Sequence, residues 1–425
     1  MQHVVIVGNG ATGVAAAIRV RELQPDWRIT MISGESTYHY SRPALMYIFM
    51  GHQRFQDTKP FEDSFWPEQR IELLKDWVLD IDATAKTLQL HRNAPLTYDH
   101  LLLATGSKSN KFGWPGQDLD GVQGLWDLMD LRRLYKTIER TRRAVIVGGG
   151  LIGIELAEMV HSCHIPVSLV VREKSYWDNV LPYEESQMVT RHIREEHFDL
   201  RLETDLKEII DDGSGRVAGI VTGNGDRIDC ELVGLTPGVH PNIDLAKTSG
   251  VPTGRGVLVD DALRTQTDGI YAAGDCSEIV KEGDQRNLIQ QVWYTGKAQG
   301  RVAGENIATG QATAYEPGTW YNSAKFLQLE YQTYGMILPT VTAQESLWWE
   351  HPNGKHGMRI VHADGCVTGF NLMGLRYRHD VCRRWIEEQR SVDYVLEHLA
   401  EANFDPEFFP RFEAAISQQL KGARP

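Results

Sequence analysis

The sequence predicts an α/β protein built from two Rossmann-like dinucleotide-binding units and a smaller αβ segment at the C-terminal end. Three observations lead there. Short β-branched runs alternate with helix-like segments (Val4–Val7, Ile29–Ile32, Leu101–Leu103, Val145–Val147, Val167–Val171, Ile228–Leu235), the rhythm of parallel strands joined by helices. One pattern occurs twice: Val4-Val5-Ile6-Val7-Gly8-Asn9-Gly10-Ala11-Thr12-Gly13 returns as Ala144-Val145-Ile146-Val147-Gly148-Gly149-Gly150-Leu151-Ile152-Gly153. A chain of 425 residues also exceeds one ordinary core, at roughly 150 residues per domain.

Each copy of the repeated pattern reads as a buried strand, a GxGxxG turn and the start of a helix. The first glycine makes the tight turn, and the second lets the backbone approach a pyrophosphate. The third lets the helix pack on the strand, and the helix N-terminus supplies positive potential for the phosphates. One such motif closes many strand-to-helix corners; two in one chain imply two dinucleotides.

Composition narrows the partners. An apolar fraction of 42% with 24% charged residues suits a folded chain rather than a disordered one. Lys+Arg 44 against Asp+Glu 57 leave a net charge of −13, which a phosphate backbone would repel, so nucleic acid is not an expected partner. Five cysteines (Cys163, Cys230, Cys276, Cys366, Cys382) show no CxxC and no metal-ligand spacing, which points to a reducing, cytoplasmic setting without metal. The chain enters its first strand directly, and no run of ~18 apolar residues occurs, so neither secretion nor membrane spanning is expected.

In chain order, four motifs make the sequence resemble the two-dinucleotide flavoproteins of the pyridine nucleotide-disulfide oxidoreductase superfamily, and among them the ferredoxin and rubredoxin reductases. They are Gly8–Gly13, Leu102-Leu103-Ala104-Thr105-Gly106, Gly148–Glu155, and Gly269-Ile270-Tyr271-Ala272-Ala273-Gly274-Asp275, spread over roughly residues 1–310. The resemblance implies FAD on the first glycine motif (Gly8, Gly10, Ala11, Thr12, Gly13) and NAD(P)H on the second (Gly148, Gly150, Leu151, Ile152, Gly153). It implies an FAD domain in two parts, 1–115 and 240–312, an inserted NAD(P) domain at 116–239, and a C-terminal αβ interface domain at 313–425.

It also implies roles for single residues. Asp275, after Gly274, is expected on the flavin ribityl chain, with Ala104, Thr105 and Gly106 lining the same cofactor. Glu35 follows the second strand, where a carboxylate meets the adenosine ribose, and Arg42-Pro43-Ala44-Leu45 resembles an Arg-Pro-Pro-Leu segment whose arginine nears the FAD phosphates. Backbone amides from Gln291 through Val292 to Trp293, at a helix start, would oppose charge at the flavin C2 carbonyl. Glu155 is the candidate catalytic residue beside flavin and nicotinamide.

Two departures shape the functional expectation. Residues 36–50 contain no cysteine, so no thiolate is present there for dithiol chemistry. Related reductases carry a lysine two residues after the leucine; here Tyr47 replaces it. The expected activity is therefore FAD-dependent oxidation of NAD(P)H with electrons passed to a ferredoxin- or rubredoxin-type protein, by a monomer or homodimer. An oxidase or small-molecule (quinone or oxygen) reductase, and a non-enzymatic redox-sensing flavoprotein, are the alternatives. Two arginine-rich runs, Arg132 to Arg143 and Arg376 to Arg390, are candidate docking faces for an acidic partner. For the coenzyme, Arg172 at the end of the second strand of the second unit favours NADPH through a forked phosphate contact, while the adjacent Glu173 could serve an NAD ribose instead.

Overall fold

The computed structural model describes every residue except 282, 284, 285, 341–344, 406 and 423–425. The chain forms two compact units. One comprises residues 1–110, 126–133 and 238–317; the other comprises 111–125, 134–237 and 318–425.

The first unit opens with β1 (His3–Val7), whose residues are all buried, followed by α1 (Ala11–Leu23), β2 (Arg28–Ile32), β3 (Ile71–Leu74) and β4 (His100–Leu103). The chain then enters the second unit through β5 (Val122–Gln123), β6 (Ala144–Val147), α2 (Leu151–His161), β7 (Val167–Val170), α3 (Tyr183–Glu195), β8 (Asp199–Arg201) and β9 (Leu232–Leu235). It returns to the first with β10 (Ile270–Ala272) and α4 (Trp293–Thr309).

Both predicted parallel sheets are present. In the first unit the order is β10-β4-β1-β2-β3, and in the second β8-β7-β6-β9-β5, all pairs parallel. In each sheet the strand that carries the glycine motif is central, flanked by the next strand on one side and a later strand on the other. That is the point where strand order reverses and where an open α/β sheet leaves a crevice at its carboxyl edge. Strands buried on both faces need continuous apolar runs, which is why Val4–Val7 and Ala144–Val147 read without alternation.

Helix α4 lies against α1 through Gly296, Gly300 and Gly304, one residue per turn on one face. A Cβ on Gly300 would lie 2.1 Å from the Thr12 carbonyl oxygen, and one on Gly304 would lie 2.6 Å from that of Ala16. Any larger residue would push the helices apart.

The second unit continues with an antiparallel sheet in the order β11-β12-β15-β14-β13, built from β11 (Tyr321–Phe326), β12 (Leu329–Tyr334), β13 (Glu345–Glu350), β14 (Gly357–Ala363) and β15 (Cys366–Met373). Helices α5 (His379–Glu387), α6 (Val392–Ala402) and α7 (Glu413–Gly422) pack on it around Phe370, Trp385 and Leu399. Tyr321, an aromatic residue in the first strand of this sheet, packs against His379 with the rings tilted at 42° and their centroids 3.9 Å apart, and borders that core. No helix among the described residues is long and apolar enough to cross a membrane.

Candidate functional site

The two glycine loops share one construction. Gly8 (φ +116°) and Gly148 (φ +129°) take a conformation that L side chains rarely adopt. A Cβ on either would lie within 2.4 Å of a carbonyl oxygen, that of Ala104 or of Thr236 respectively. Gly13 and Gly153 are closed against the carbonyls of Gly8 and Gly148, at 2.0 and 2.5 Å from a notional Cβ, so helix meets strand. The middle glycines differ from both: a Cβ on Gly10 or Gly150 would meet nothing within 4 Å. Each is the N-cap of its helix, and neither helix receives a hydrogen bond from a capping side chain. Ala11 and Thr12, and Leu151 and Ile152, form the first turns, where backbone N–H groups have no carbonyl partner within the helix. An extended anion with no bulk tolerated at the middle glycine, such as a pyrophosphate, suits both places.

Each loop is braced from behind by a buried ring that the sequence pattern does not reveal. In the first unit His39 Nδ1 lies 2.8 Å from the Asn9 carbonyl oxygen, and burial lowers its pKa to about 4, so the ring stays neutral. In the second unit the Tyr176 hydroxyl donates to the Gly150 carbonyl at 2.9 Å.

Asp275 stands in a one-turn 3-10 helix, Gly274–Cys276, directly after β10. Its carboxylate accepts from the Ser107 hydroxyl at 2.6 Å, and Gln291 Nε2 donates to the same hydroxyl at 3.1 Å. Burial raises the Asp275 pKa, with Ser107 and Arg42 opposing it. Behind it, Gln299 accepts from the Gly274 amide at 2.7 Å and from the Ser277 hydroxyl at 3.0 Å. A carboxylate so held presents its remaining lone pairs as acceptors for hydroxyl groups. Thr105 donates to the Asn242 carbonyl at 2.7 Å, the Asn242 amide donates to the Gly106 carbonyl at 2.9 Å, and Ala104 closes β4 beside Gly8. Val292 is the N-cap of α4, again without a capping side chain, and Trp293 begins the helix half-exposed with Lys297 over its ring.

Glu35 and Arg42 come together. Arg42 Nη2 lies 2.8 Å from Glu35 Oε2, the Tyr40 hydroxyl donates to Glu35, and the Leu128 amide donates to Oε1 at 3.1 Å. The guanidinium lies over the Tyr40 and Trp126 rings and donates to the Trp126 carbonyl, while Pro43 holds the 3-10 turn that begins at Arg42. Both Glu35 oxygens are thus engaged, and any ribose contact shares them with Arg42.

In the second unit, Glu173 lies against the glycine loop: a Cβ on Gly149 would lie 3.6 Å from its Oε2. Arg172 points outward, 74% exposed, and donates through Nε to Glu173 at 2.8 Å. Glu155 sits on α2 with Glu158 one turn later, and Lys325 of β11 donates to Glu158 at 2.8 Å. Burial first, and the Glu158 charge second, raise Glu155 to about 7.

Much of the charge in the two arginine-rich runs is spent inside the molecule. Arg140 pairs with Asp120 and Arg142 with Glu231 in one run; Arg376 pairs with Glu330, Arg384 with Glu401 and Arg390 with Glu388 in the other. Burial sets three of the thiols apart from ionisation: Cys276 and Cys382 are fully buried with raised pKa values, and burial pushes Cys230 up to about 12.

Comparison with known proteins agrees with this geometry. The chain is 29% identical to rhodocoxin reductase of Rhodococcus erythropolis over 325 residues, covering 76% of each chain. It is 29% identical to nitrite reductase [NAD(P)H] of Bacillus subtilis (strain 168) over 279 residues, and there spans only 34% of the relative's length. Among solved structures, the ferredoxin reductase for the CYP199A2 system from Rhodopseudomonas palustris superposes with a TM-score of 0.80 at 23% identity, over 88% of this chain and 91% of that one, a likeness of fold. Residues 2–300 match the family model for pyridine nucleotide-disulphide oxidoreductase, the family whose members use FAD and NAD(P)H. With 2–300 out of 425 residues matched, this chain belongs to the pyridine nucleotide-disulphide oxidoreductase family.

Proposed function

We propose that the protein is an FAD-dependent NAD(P)H oxidoreductase that passes electrons to a ferredoxin- or rubredoxin-type protein. The observation that carries this reading is the doubled loop, with an unobstructed middle glycine and an uncapped helix start in each unit. The loop from Gly8 to Gly13 would hold the FAD pyrophosphate, Asp275 the hydroxyls of its chain, and the amides from Gln291 to Trp293 its negative end. The loop from Gly148 to Gly153 would hold the nicotinamide nucleotide. Bound FAD supplies the capacity to take two electrons and release them singly, which suits a one-electron protein acceptor.

The residues support that acceptor class over a disulfide. Cys276, beside Asp275, is buried with Sγ 3.3 Å from the Leu103 carbonyl, and burial raises its pKa, so it offers no thiolate. The names of relatives such as rhodocoxin reductase point the same way. For the coenzyme, the inner place of Glu173 turns the balance toward NADH: a carboxylate there accepts from a ribose 2′-hydroxyl and repels a 2′-phosphate. Arg172, outside it, is already paired to that carboxylate.

Anaerobic rapid mixing tests the proposal. NADH should bleach the flavin absorbance faster than NADPH, and added ferredoxin or rubredoxin should restore it faster than oxygen or a quinone. Absence of bleaching by either nucleotide overturns the reading. Reoxidation that is fastest with oxygen assigns an oxidase instead, and a bleached state that persists with every acceptor assigns a redox sensor.

A further inference from the structure

Glu35 stands beyond Ile32, the last residue of β2, and the fold gives its carboxylate partners of its own. Oε1 accepts from the Tyr40 hydroxyl and from the Leu128 amide at 3.1 Å, and Oε2 accepts from Arg42 Nη2 at 2.8 Å. Nη1 of the same guanidinium also approaches Oε1, at 3.5 Å. A carboxylate offers about four acceptor positions, and side chains and backbone of the protein fill most of them here. The position left is on Oε2, beside the guanidinium.

Arg42 is held with equal care. Its guanidinium carbon lies 5.6 Å from the centre of the Tyr40 ring and 5.2 Å from that of Trp126, and Nη1 donates to the Trp126 carbonyl. Yet its Nε–H and the second hydrogen of Nη2 have no acceptor among the described residues. The charge reaches both sides of the first glycine loop. Burial lowers the pKa of His39, the ring against the Asn9 carbonyl, and the Arg42 charge lowers it further; at Asp275 the same charge, with the Ser107 hydroxyl, opposes the upward effect of burial. A planar cation so placed, with N–H groups still to be satisfied, suits phosphate oxygens.

We propose that Glu35 is a positioning residue rather than a ribose ligand: it fixes the Arg42 guanidinium so that the remaining N–H groups meet the phosphates of FAD. The proposal rests on the reading that FAD occupies the loop from Gly8 to Gly13. Its physical basis is preorganisation. A loose arginine loses rotamer freedom when it grips a phosphate, and pairing with Glu35 during folding removes that loss from the binding step. The carboxylate does not repel the ligand strongly, because its charge is already engaged by the guanidinium and two further donors.

The test is calorimetric titration of FAD into the whole chain after its flavin is removed, for the unaltered protein, Glu35→Gln, Arg42→Met and the double variant. Gln keeps an oxygen for Tyr40 and Leu128 but turns an NH2 group toward Arg42, so the hold on the guanidinium is lost with little disturbance of the fold. Arg42→Met should weaken FAD by about 10- to 150-fold, and Glu35→Gln by about tenfold. The double variant should lose no more than Arg42→Met alone, within about twofold, because Glu35 acts through Arg42. Losses that multiply, or FAD held by Glu35→Gln as tightly as by the unaltered protein, overturn the proposal. The same titration with an FAD analogue whose adenosine ribose lacks both hydroxyls reads the alternative role. Their removal should weaken binding by the same factor in the unaltered protein and in Glu35→Gln. A penalty that disappears in Glu35→Gln makes Glu35 a ribose ligand and overturns the proposal. An unaltered chain that takes up neither flavin sinks the functional reading and this proposal with it, whereas normal uptake with multiplied losses sinks the proposal alone.

Discussion

The two middle glycines allow a crossed test of which loop holds which nucleotide. Gly10 is the N-cap of α1 with φ −71° and ψ −177°, and Gly150 is the N-cap of α2 with φ −112° and ψ −173°. Both are extended conformations open to any residue, and a Cβ on either meets no atom within 4 Å. Serine is a favoured N-cap, so Gly10→Ser and Gly150→Ser should change the stability of the nucleotide-free protein by no more than about 0.5 kcal/mol. In the bound state the new side chain stands where the pyrophosphate must approach. Loss of even one charge-assisted hydrogen bond costs about 1.5–3 kcal/mol, a weakening of about 10- to 150-fold. Calorimetric titration should show Gly10→Ser losing FAD affinity and Gly150→Ser losing NADH affinity, with FAD retained in the second variant. Gly8→Ala serves as the contrast, since its Cβ would lie 2.1 Å from the Ala104 carbonyl oxygen at φ +116°, and it should fail by misfolding. If Gly10→Ser holds FAD as tightly as the unaltered protein, or if both variants weaken the same nucleotide, the loop assignment is refuted.

His39 is held neutral with a pKa of about 4 against 6.5 when unfolded, so the unfolded chain binds the extra proton between those values. Its contribution, on the order of 3 kcal/mol, is fully present above about pH 6.5 and lost as pH falls through about 4. Urea melts should show this slope in the FAD-free protein and a shallower one in His39→Gln; parallel profiles would contradict it. Arg359, 4% exposed, pairs with the fully buried Glu185, so Arg359→Met should cost about 3–5 kcal/mol and Arg359→Met/Glu185→Met much less; equal losses would show that the charge is not what matters. Replacing all five cysteines by Ala or Ser should leave NAD(P)H-to-flavin reduction within a few-fold, and its loss in a folded, FAD-replete variant would bring back the disulfide-reductase reading.

What was legible in the sequence is what contiguous residues must do for themselves. A strand buried on both faces needs an unbroken apolar run, and a turn at positive φ needs glycine. Gly8, Gly10 and Gly13, and their counterparts Gly148, Gly150 and Gly153, therefore announce the turn, the open approach and the close packing in letters that sit side by side. That the glycines of α4 meet Thr12 and Ala16, by contrast, depends on how two distant helices dock.

Tertiary structure alone decided the electrostatics. Arg42 and Glu35 read separately as phosphate and ribose ligands, yet the fold joins them and adds the Leu128 amide, which no spacing places beside them. Lys325 lies 167 residues from Glu158 and in a segment without a motif, and only the packing of β11 on α2 brings them to 2.8 Å. His39 and Tyr176 brace backbone carbonyls from outside the motifs they support. The physical reason is common to all of these. Backbone geometry is demanded locally and so is written in neighbouring residues, whereas an ion pair or a buried hydrogen bond is satisfied by whichever side chain the folded chain carries to that point.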